Sequence, residues 1–242
     1  MVSDYGAIVI LYEEKTMYLG IELGSTRIKG MILDQQYKVV TSASYIWQSE
    51  FKNGYWTYDL ASVWQGMREV IKKLGQNYDL AKINAMGISA MMHGFLPFNR
   101  KNELLTPFRT WKNENTSVAA RKLSNLFAFN IPLRWSIAHY YQASLDHEDY
   151  VSEMAYFTTL AGYVHQALTG RNVLGIGDAS GMFPVDVNSH DYDQLMIDKY
   201  QEVTGLNLRN LLPKIVAVGQ DAGSLTKEGK ALLGANDLKV GL

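Results

Sequence analysis

Three short stretches of this sequence combine residue types suited to chemistry on phosphates and polyols. The first is Gly20-Ile21-Glu22-Leu23-Gly24-Ser25-Thr26-Arg27-Ile28-Lys29. A carboxylate lies near the end of an apolar run, a Gly-Ser-Thr turn follows, and a basic residue begins the return run. A tight glycine turn directs backbone N–H groups into one concavity, which suits phosphate oxygens. The Ser25 and Thr26 hydroxyls add donors, Lys29 adds a point charge, and Glu22 can hold a magnesium ion through water. The same residues also make an ordinary hairpin with a polar turn, the commoner use of such a sequence.

The second stretch, Ile88-Ser89-Ala90-Met91-Met92-His93-Gly94, ends another apolar run. Residues at the carboxyl ends of parallel strands face the ligand crevice of open α/β sheets. There His93 can donate to and accept from sugar hydroxyls at neutral pH. A lone histidine beside two methionines serves equally well as a satisfied core residue. The third stretch is Pro107-Phe108-Arg109-Thr110-Trp111-Lys112-Asn113-Glu114-Asn115-Thr116. An indole face packs on sugar C–H bonds and amides bond hydroxyls, so Trp111 and Asn113 fit a carbohydrate contact. Trp111 as a core anchor, with Asn115 or Thr116 capping the next helix, fits the same residues.

The elements that would position these groups alternate in type. Tyr18–Leu23, Ile28–Leu33 and Val39–Trp47 read as three strands joined by short turns, an antiparallel meander. Apolar residues from Leu60 to Leu74 recur at helical spacing, with Asp59 as N-cap and Gly75 near the end. Ile83–Ile88 then reads as a strand parallel to the first, because a helix separates them. From Thr116 the pattern is mostly helical, over Ser117–Phe127, Trp135–Leu145, Glu153–Leu168 and Asp191–Val203. A helix over Thr226–Leu233 and a β-prone run over Leu238–Leu242 close the chain.

Composition narrows the function. The chain has 242 residues, 47% of them apolar, a net charge of −1 and no cysteine. Nucleic-acid binding is not expected without a basic surplus, and thiolate metal sites, disulfides and a Cys nucleophile are excluded. The run Ala7–Tyr12 is too short for a membrane span and lacks signal-peptide features, so residues 1–16 read as an N-terminal extension. A cytoplasmic location and no membrane association are the expectation. His139, His147, His165 and His190 show no metal-ligand spacing, and nucleophile-elbow, HExxH and P-loop patterns are absent. Asp178 and Asp221 read as capping residues.

The order β-β-β-α-β together with these motifs resembles the FGGY carbohydrate kinases. Their first phosphate loop, Asp-x-Gly-Thr/Ser-x-x-x-Lys/Arg, is matched at Gly24, Ser25, Thr26 and Lys29, with Glu22 in place of Asp. Xylulose-kinase-like members carry Ser-Gly-Gln-Met-His-Gly where this chain has Ser89-Ala90-Met91-Met92-His93-Gly94. The Arg-Glu pair of glycerol kinases is missing there. Trp111 and Thr116 match the family's Trp-x-Asp-x-Arg-Thr, with Asn113 and Asn115 in place of Asp and Arg. Leu168-Thr169-Gly170 and Asp178-Ala179-Ser180 also have counterparts.

The resemblance implies a ribonuclease-H-like α/β lobe of the actin and hexokinase type, with a mixed sheet and a helical sugar-binding elaboration. That lobe would span residues 17–242. The implied activity is phosphoryl transfer from ATP, with Mg2+, to a hydroxyl of a ketose such as xylulose or a related sugar. Glu22, Gly24, Ser25, Thr26 and Lys29 would hold Mg-ATP phosphates, and Met92, His93, Trp111 and Asn113 the sugar. The partners are then the sugar and ATP, with a homodimer as the assembly common among relatives. The catalytic Asp and the nucleotide-binding lobe would lie beyond Leu242, so this chain alone is expected to be inactive. A non-catalytic actin-like module that binds a sugar or a protein is the alternative.

Overall fold

Alternation of buried and exposed residues builds the central sheet. In β1 (Tyr18–Leu23) the residues Leu19, Ile21 and Leu23 are buried, and in β2 (Arg27–Leu33) Ile28 and Ile32 are. These period-2 patterns turn one sheet face toward a helix and leave Gly20, Glu22, Lys29 and Met31 on the other. The computed structural model describes residues 16–235 and Leu238. The run Ala7–Tyr12 and the remainder of Leu238–Leu242 lie outside the described residues.

β2 pairs antiparallel with β1 and with β3 (Val39–Ile46), which gives the expected meander. Two short strands, β4 (Glu50–Lys52) and β5 (Tyr55–Thr57), form a separate hairpin. Helix α1 (Leu60–Gly75) follows, its N-terminus capped by Asp59, whose carboxylate accepts the Ala61 N–H at 3.0 Å. Its buried stripe of Val63, Met67, Val70, Ile71 and Leu74 packs on the sheet. Contact is close: a Cβ at Gly30 would lie 2.5 Å from Val70 Cγ1. β6 (Ala85–Ala90) then pairs parallel with β1, and the sheet order is β3-β2-β1-β6.

The second half packs a separate helical core. β7 (Leu96–Phe98), α2 (Ser117–Phe127) and α3 (Ser136–Leu145) lead into it. The segment read as one helix over Glu153–Leu168 is instead a 3-10 turn over Asp149–Glu153, β8 (Tyr156–Thr158) and α4 (Leu160–Thr169). Pairing of β8 with β7 (Leu96↔Thr158) extracts Tyr156–Thr158 from the helical pattern. β9 (Val173–Gly175), α5 (Ile176–Ala179) and β10 (Val185–Asp186) come next. The expected helix from Asp191 starts later, because Asp191–Tyr192 is β11, paired with β10, and α6 spans Gln194–Thr204. β12 (Lys214–Val216) pairs parallel with β9, and α7 spans Lys227–Leu233.

Two apolar clusters result. One unites the sheet, α1, α4 and α7; the other joins α2, α3 and α6 around Phe127, Phe157, Phe183 and Tyr200. No helix among the described residues is long and apolar enough to cross a membrane.

Candidate functional site

Parallel pairing of β1 and β6 brings the first two stretches together. Leu23 pairs with Ala90, and the Met91 N–H continues the ladder by donating to Leu23 O at 2.9 Å. The Gly24–Thr26 turn and the Met92–Gly94 loop therefore leave the same edge of the sheet, the carboxyl edge of both strands. Sequence separation hides this proximity; the crossover through α1 creates it.

The turn is held from below through its carbonyls. Trp47 Nε1–H donates to Gly24 O at 2.7 Å and Tyr58 O–H to Ser25 O at 2.7 Å. Trp47 N–H reaches Thr26 O at 3.2 Å, and Gly24 N–H closes the turn on Arg27 O at 2.9 Å. With these carbonyls engaged, the Ser25 and Thr26 N–H groups take part in none of the bonds found among the described residues. Lys29 Nζ donates to Glu22 Oε2 at 3.1 Å, both side chains being about half exposed. They line a groove of about 350 Å³ on the free sheet face, floored by Gly20 and Gly87. Among the described residues no cluster of three His, Asp or Glu could cage a metal ion. The donor set at the turn instead fits a phosphate with a water-held cation.

The second loop has an unusual backbone. His93 (φ 68°) and Gly94 (φ 93°) are consecutive left-handed residues. For histidine this conformation is uncommon and persists only when its surroundings enforce it. A Cβ at Gly94 would meet Phe108 Cε2 at 2.7 Å and Arg109 O at 2.8 Å. Gly94 N–H donates to Arg134 O at 3.3 Å, and Ser136, the first residue of α3, donates its hydroxyl to Gly94 O. Met92 is exposed and His93 half-buried. Burial holds the His93 imidazole below its ordinary range; the bond to Gly181 opposes this and the Arg134 charge adds to it.

An aromatic row connects the two loops. Trp47 packs on Tyr58 with ring centroids 4.3 Å apart, and Tyr58 lies 6.4 Å from Phe108. Phe108 is the ring that confines Gly94. Tyr58 thus bonds the first turn and, through Phe108, buttresses the second loop. Neither Trp47 nor Tyr58 is distinguishable in the sequence from other strand-flanking aromatics.

The third stretch divides. Trp111 is exposed by 39%, two residues past the bridge between Phe95 and Arg109. The described contacts do not bring it to His93. Asn113 is buried and occupied: its Oδ1 accepts the Trp56 N–H at 2.8 Å, and its Nδ2 donates to Trp56 O and Thr110 O. Three bonds leave little capacity for a sugar hydroxyl, so Asn113 fastens the β4–β5 hairpin. Thr116 sits at the N-cap of α2, but its hydroxyl donates to Leu133 O and caps nothing.

Asp178 belongs to the scaffold. Its Oδ2 accepts the Thr159 hydroxyl, while Thr159 Oγ1 caps α4 by accepting the Gly162 N–H at 3.2 Å. Burial pushes the carboxyl up to about 6. A surface groove of about 660 Å³ between the end of α3 and the end of α6 contains none of the nine candidate residues named above.

A mixed sheet of order β3-β2-β1-β6, with the β1–β2 turn and the loop after β6 at one edge, defines one lobe of the actin and hexokinase type. Solved structures agree. A xylulose kinase from Brucella ovis superposes with a TM-score of 0.80 at 20% identity, covering 93% of this chain and 47% of its own. A gluconate kinase from Lactobacillus acidophilus gives a TM-score of 0.79 at 22% identity over the same shares. These likenesses concern the fold. The model of the FGGY family of carbohydrate kinases, N-terminal domain, matches residues 17–240, and the chain belongs to that family. Xylulose kinase of Escherichia coli (strain K12) is 25% identical over 189 residues, 75% of this chain and 39% of the relative. L-fuculokinase of the same strain is 21% identical over 246 residues, 95% and 49% respectively. The chain thus spans about half or less of the length of these curated relatives.

Proposed function

We propose that the whole protein transfers the γ-phosphoryl group of ATP to a hydroxyl of a ketose such as xylulose, or of a related sugar, and that this chain forms its sugar-binding lobe. The observation that supports it best is the shared sheet edge: the Gly24–Thr26 turn and the Met92–Gly94 loop leave neighbouring parallel strands in register. Loops at such an edge converge on one crevice, as transfer between two small molecules requires.

ATP supplies the phosphoryl group and Mg2+ neutralises charge on its phosphates. The Ser25 and Thr26 N–H groups and the Lys29 ammonium are suited to the phosphate oxygens, and Glu22 to a water of the magnesium shell. Met92 and His93 would meet the sugar, with Trp111 at the margin. Asp178, bonded to Thr159 inside the scaffold, is not disposed to take a substrate proton. A carboxylate of the second lobe is the expected acceptor for the hydroxyl proton.

Product analysis with the complete protein across a panel of ketoses and polyols tests this reading. Sugar-dependent ADP release with a ketose is the expected result, and none with any sugar would leave the non-catalytic binding module. His93→Ala should weaken sugar use by about tenfold or more, as loss of a polar contact to substrate does, while nucleotide binding persists. Equal sugar dependence in wild type and variant removes His93 from the site.

A further inference from the structure

The His93 ring points at a segment whose sequence suggested only a capped turn. Its Nδ1 lies 3.3 Å from the carbonyl oxygen of Gly181, 88 residues away. A carbonyl oxygen only accepts, so this bond requires the proton on Nδ1. A neutral imidazole protonated at Nδ1 has a bare lone pair on Nε2. Burial favours the neutral ring at physiological pH.

Gly181 is also a glycine for a reason its own backbone does not supply, since it is not among the positive-φ residues. A Cβ placed there would lie 2.6 Å from His93 Nδ1, 3.0 Å from His93 Cε1 and 3.3 Å from Met92 Cε. The three nearest atoms thus all belong to two side chains of the Met92–Gly94 loop. The Gly181 carbonyl is well fixed. Gly181 N–H donates to Asp178 O at 3.0 Å, Met182 N–H to Ala179 O at 2.9 Å, and Ile137 N–H to Met182 O at 3.1 Å. Ala179, Met182 and Phe183 are fully buried in the helical core. The core of the second half thereby sets the orientation of a ring carried by the first.

We infer that Gly181 is a positioning residue for His93: its carbonyl fixes the Nδ1–H tautomer, and its missing side chain admits the imidazole and the Met92 thioether. His93 Nε2 is thus presented as an acceptor for a hydroxyl that donates. The inference rests on the sugar-site reading for the identity of that hydroxyl, and on geometry alone for the tautomer.

The test is long-range 1H–15N correlation of the 15N-labelled 242-residue chain at pH 7.5, with the His93 ring assigned by its absence in His93→Gln. In the wild type, His93 should show a protonated Nδ1 and an unprotonated Nε2. In Gly181→Ala, with backbone amides elsewhere unchanged, the ring should move toward the Nε2–H tautomer. Adding D-xylulose should shift the wild-type Nε2 signal, with affinity about tenfold weaker in the variant. An Nε2–H tautomer in the wild type, or an unchanged tautomer in a folded Gly181→Ala, overturns the positioning role. If the variant fails to fold, the wild-type tautomer alone decides. An Nδ1–H tautomer with no response to any sugar upholds the positioning geometry and counts against the sugar site instead.

Discussion

Two ion pairs of this chain lie beside its candidate loops in opposite surroundings. Lys29 and Glu22 meet at 3.1 Å beside the Gly24–Thr26 turn with side chains 49% and 51% exposed. Arg109 and Glu148 meet behind the Met92–Gly94 loop, with the arginine side chain only 2% exposed. The Arg109 guanidinium lies 4.3 Å from the Tyr55 ring centroid and 5.7 Å from that of Tyr150. An exposed pair exchanges partners readily and adds roughly 0–1 kcal/mol to stability. A buried cation cannot lose its partner without heavy cost. The difference separates charges free to meet a ligand from charges that hold loops in place.

The sharpest way to break this contrast is to remove one member of the buried pair. Glu148→Gln leaves the Arg109 charge uncompensated and should cost about 3–5 kcal/mol in urea denaturation. Arg109→Met should cost less, because Glu148 is already 24% exposed and can rehydrate. Values below about 1 kcal/mol for both would show that the buried pair is no more structural than the exposed one.

Glycines at the two loops extend the comparison. Gly94→Ala combines a left-handed backbone with contacts of 2.7 and 2.8 Å to Phe108 and Arg109, and should cost about 2–4 kcal/mol. Gly24→Ala meets Arg27 O at 3.2 Å and Glu22 Oε1 at 3.5 Å, without positive φ, and should cost about 1 kcal/mol or less. Comparable melting temperatures for the two variants would contradict this order.

The pH dependence of stability is a smaller effect, and two buried groups oppose each other in it. Burial depresses His139 from 6.5 to about 3, so its contribution is present above pH 6.5 and is lost as pH falls toward 3. Asp178 is raised from 3.8 to about 6, so its contribution is present below pH 3.8 and is lost as pH rises through 6. His93 and His165, lowered by burial, act in the same sense as His139. Stability should fall by roughly 1 kcal/mol between pH 6.5 and 5. The loss should shrink in His139→Phe, which preserves the stacking on Phe95, and steepen in Asp178→Asn. Parallel pH profiles for all three proteins would remove these groups as its source.

The same contrast explains what the sequence reveals. The meander, α1 with its Asp59 cap, and the parallel strand follow from local period and capping, and their boundaries fall within about two residues of expectation. Tyr156–Thr158 is hidden because its strand exists only by pairing with Leu96–Phe98, which local period cannot report. The β4–β5 and β9–β12 pairs are too short to carry a period at all. At the candidate site, Glu22, Gly24 and Lys29 stand out in the sequence because a turn is a local object. Gly181 and Tyr58 are not, since their roles depend on where His93 and Ser25 arrive in space. Asn113 misleads for the same reason: its amide suits a sugar until the β4–β5 hairpin claims it.

The smallest expected effect on stability belongs to Lys29→Met, and its smallness is what the comparison requires. Methionine retains an unbranched apolar stem, and the lost partner Glu22 is already hydrated. Stability in 0.15 M salt should change by no more than about 0.5 kcal/mol. Binding of pyrophosphate, measured calorimetrically on the same sample, should nevertheless weaken by about tenfold or more, because a charge-assisted contact to phosphate is gone. A stability loss approaching that of Glu148→Gln would make Lys29 part of the scaffold and erase the distinction between the pairs. Unchanged stability with unchanged pyrophosphate affinity would leave the distinction standing but move the phosphate away from β2, onto the Ser25 and Thr26 N–H groups alone.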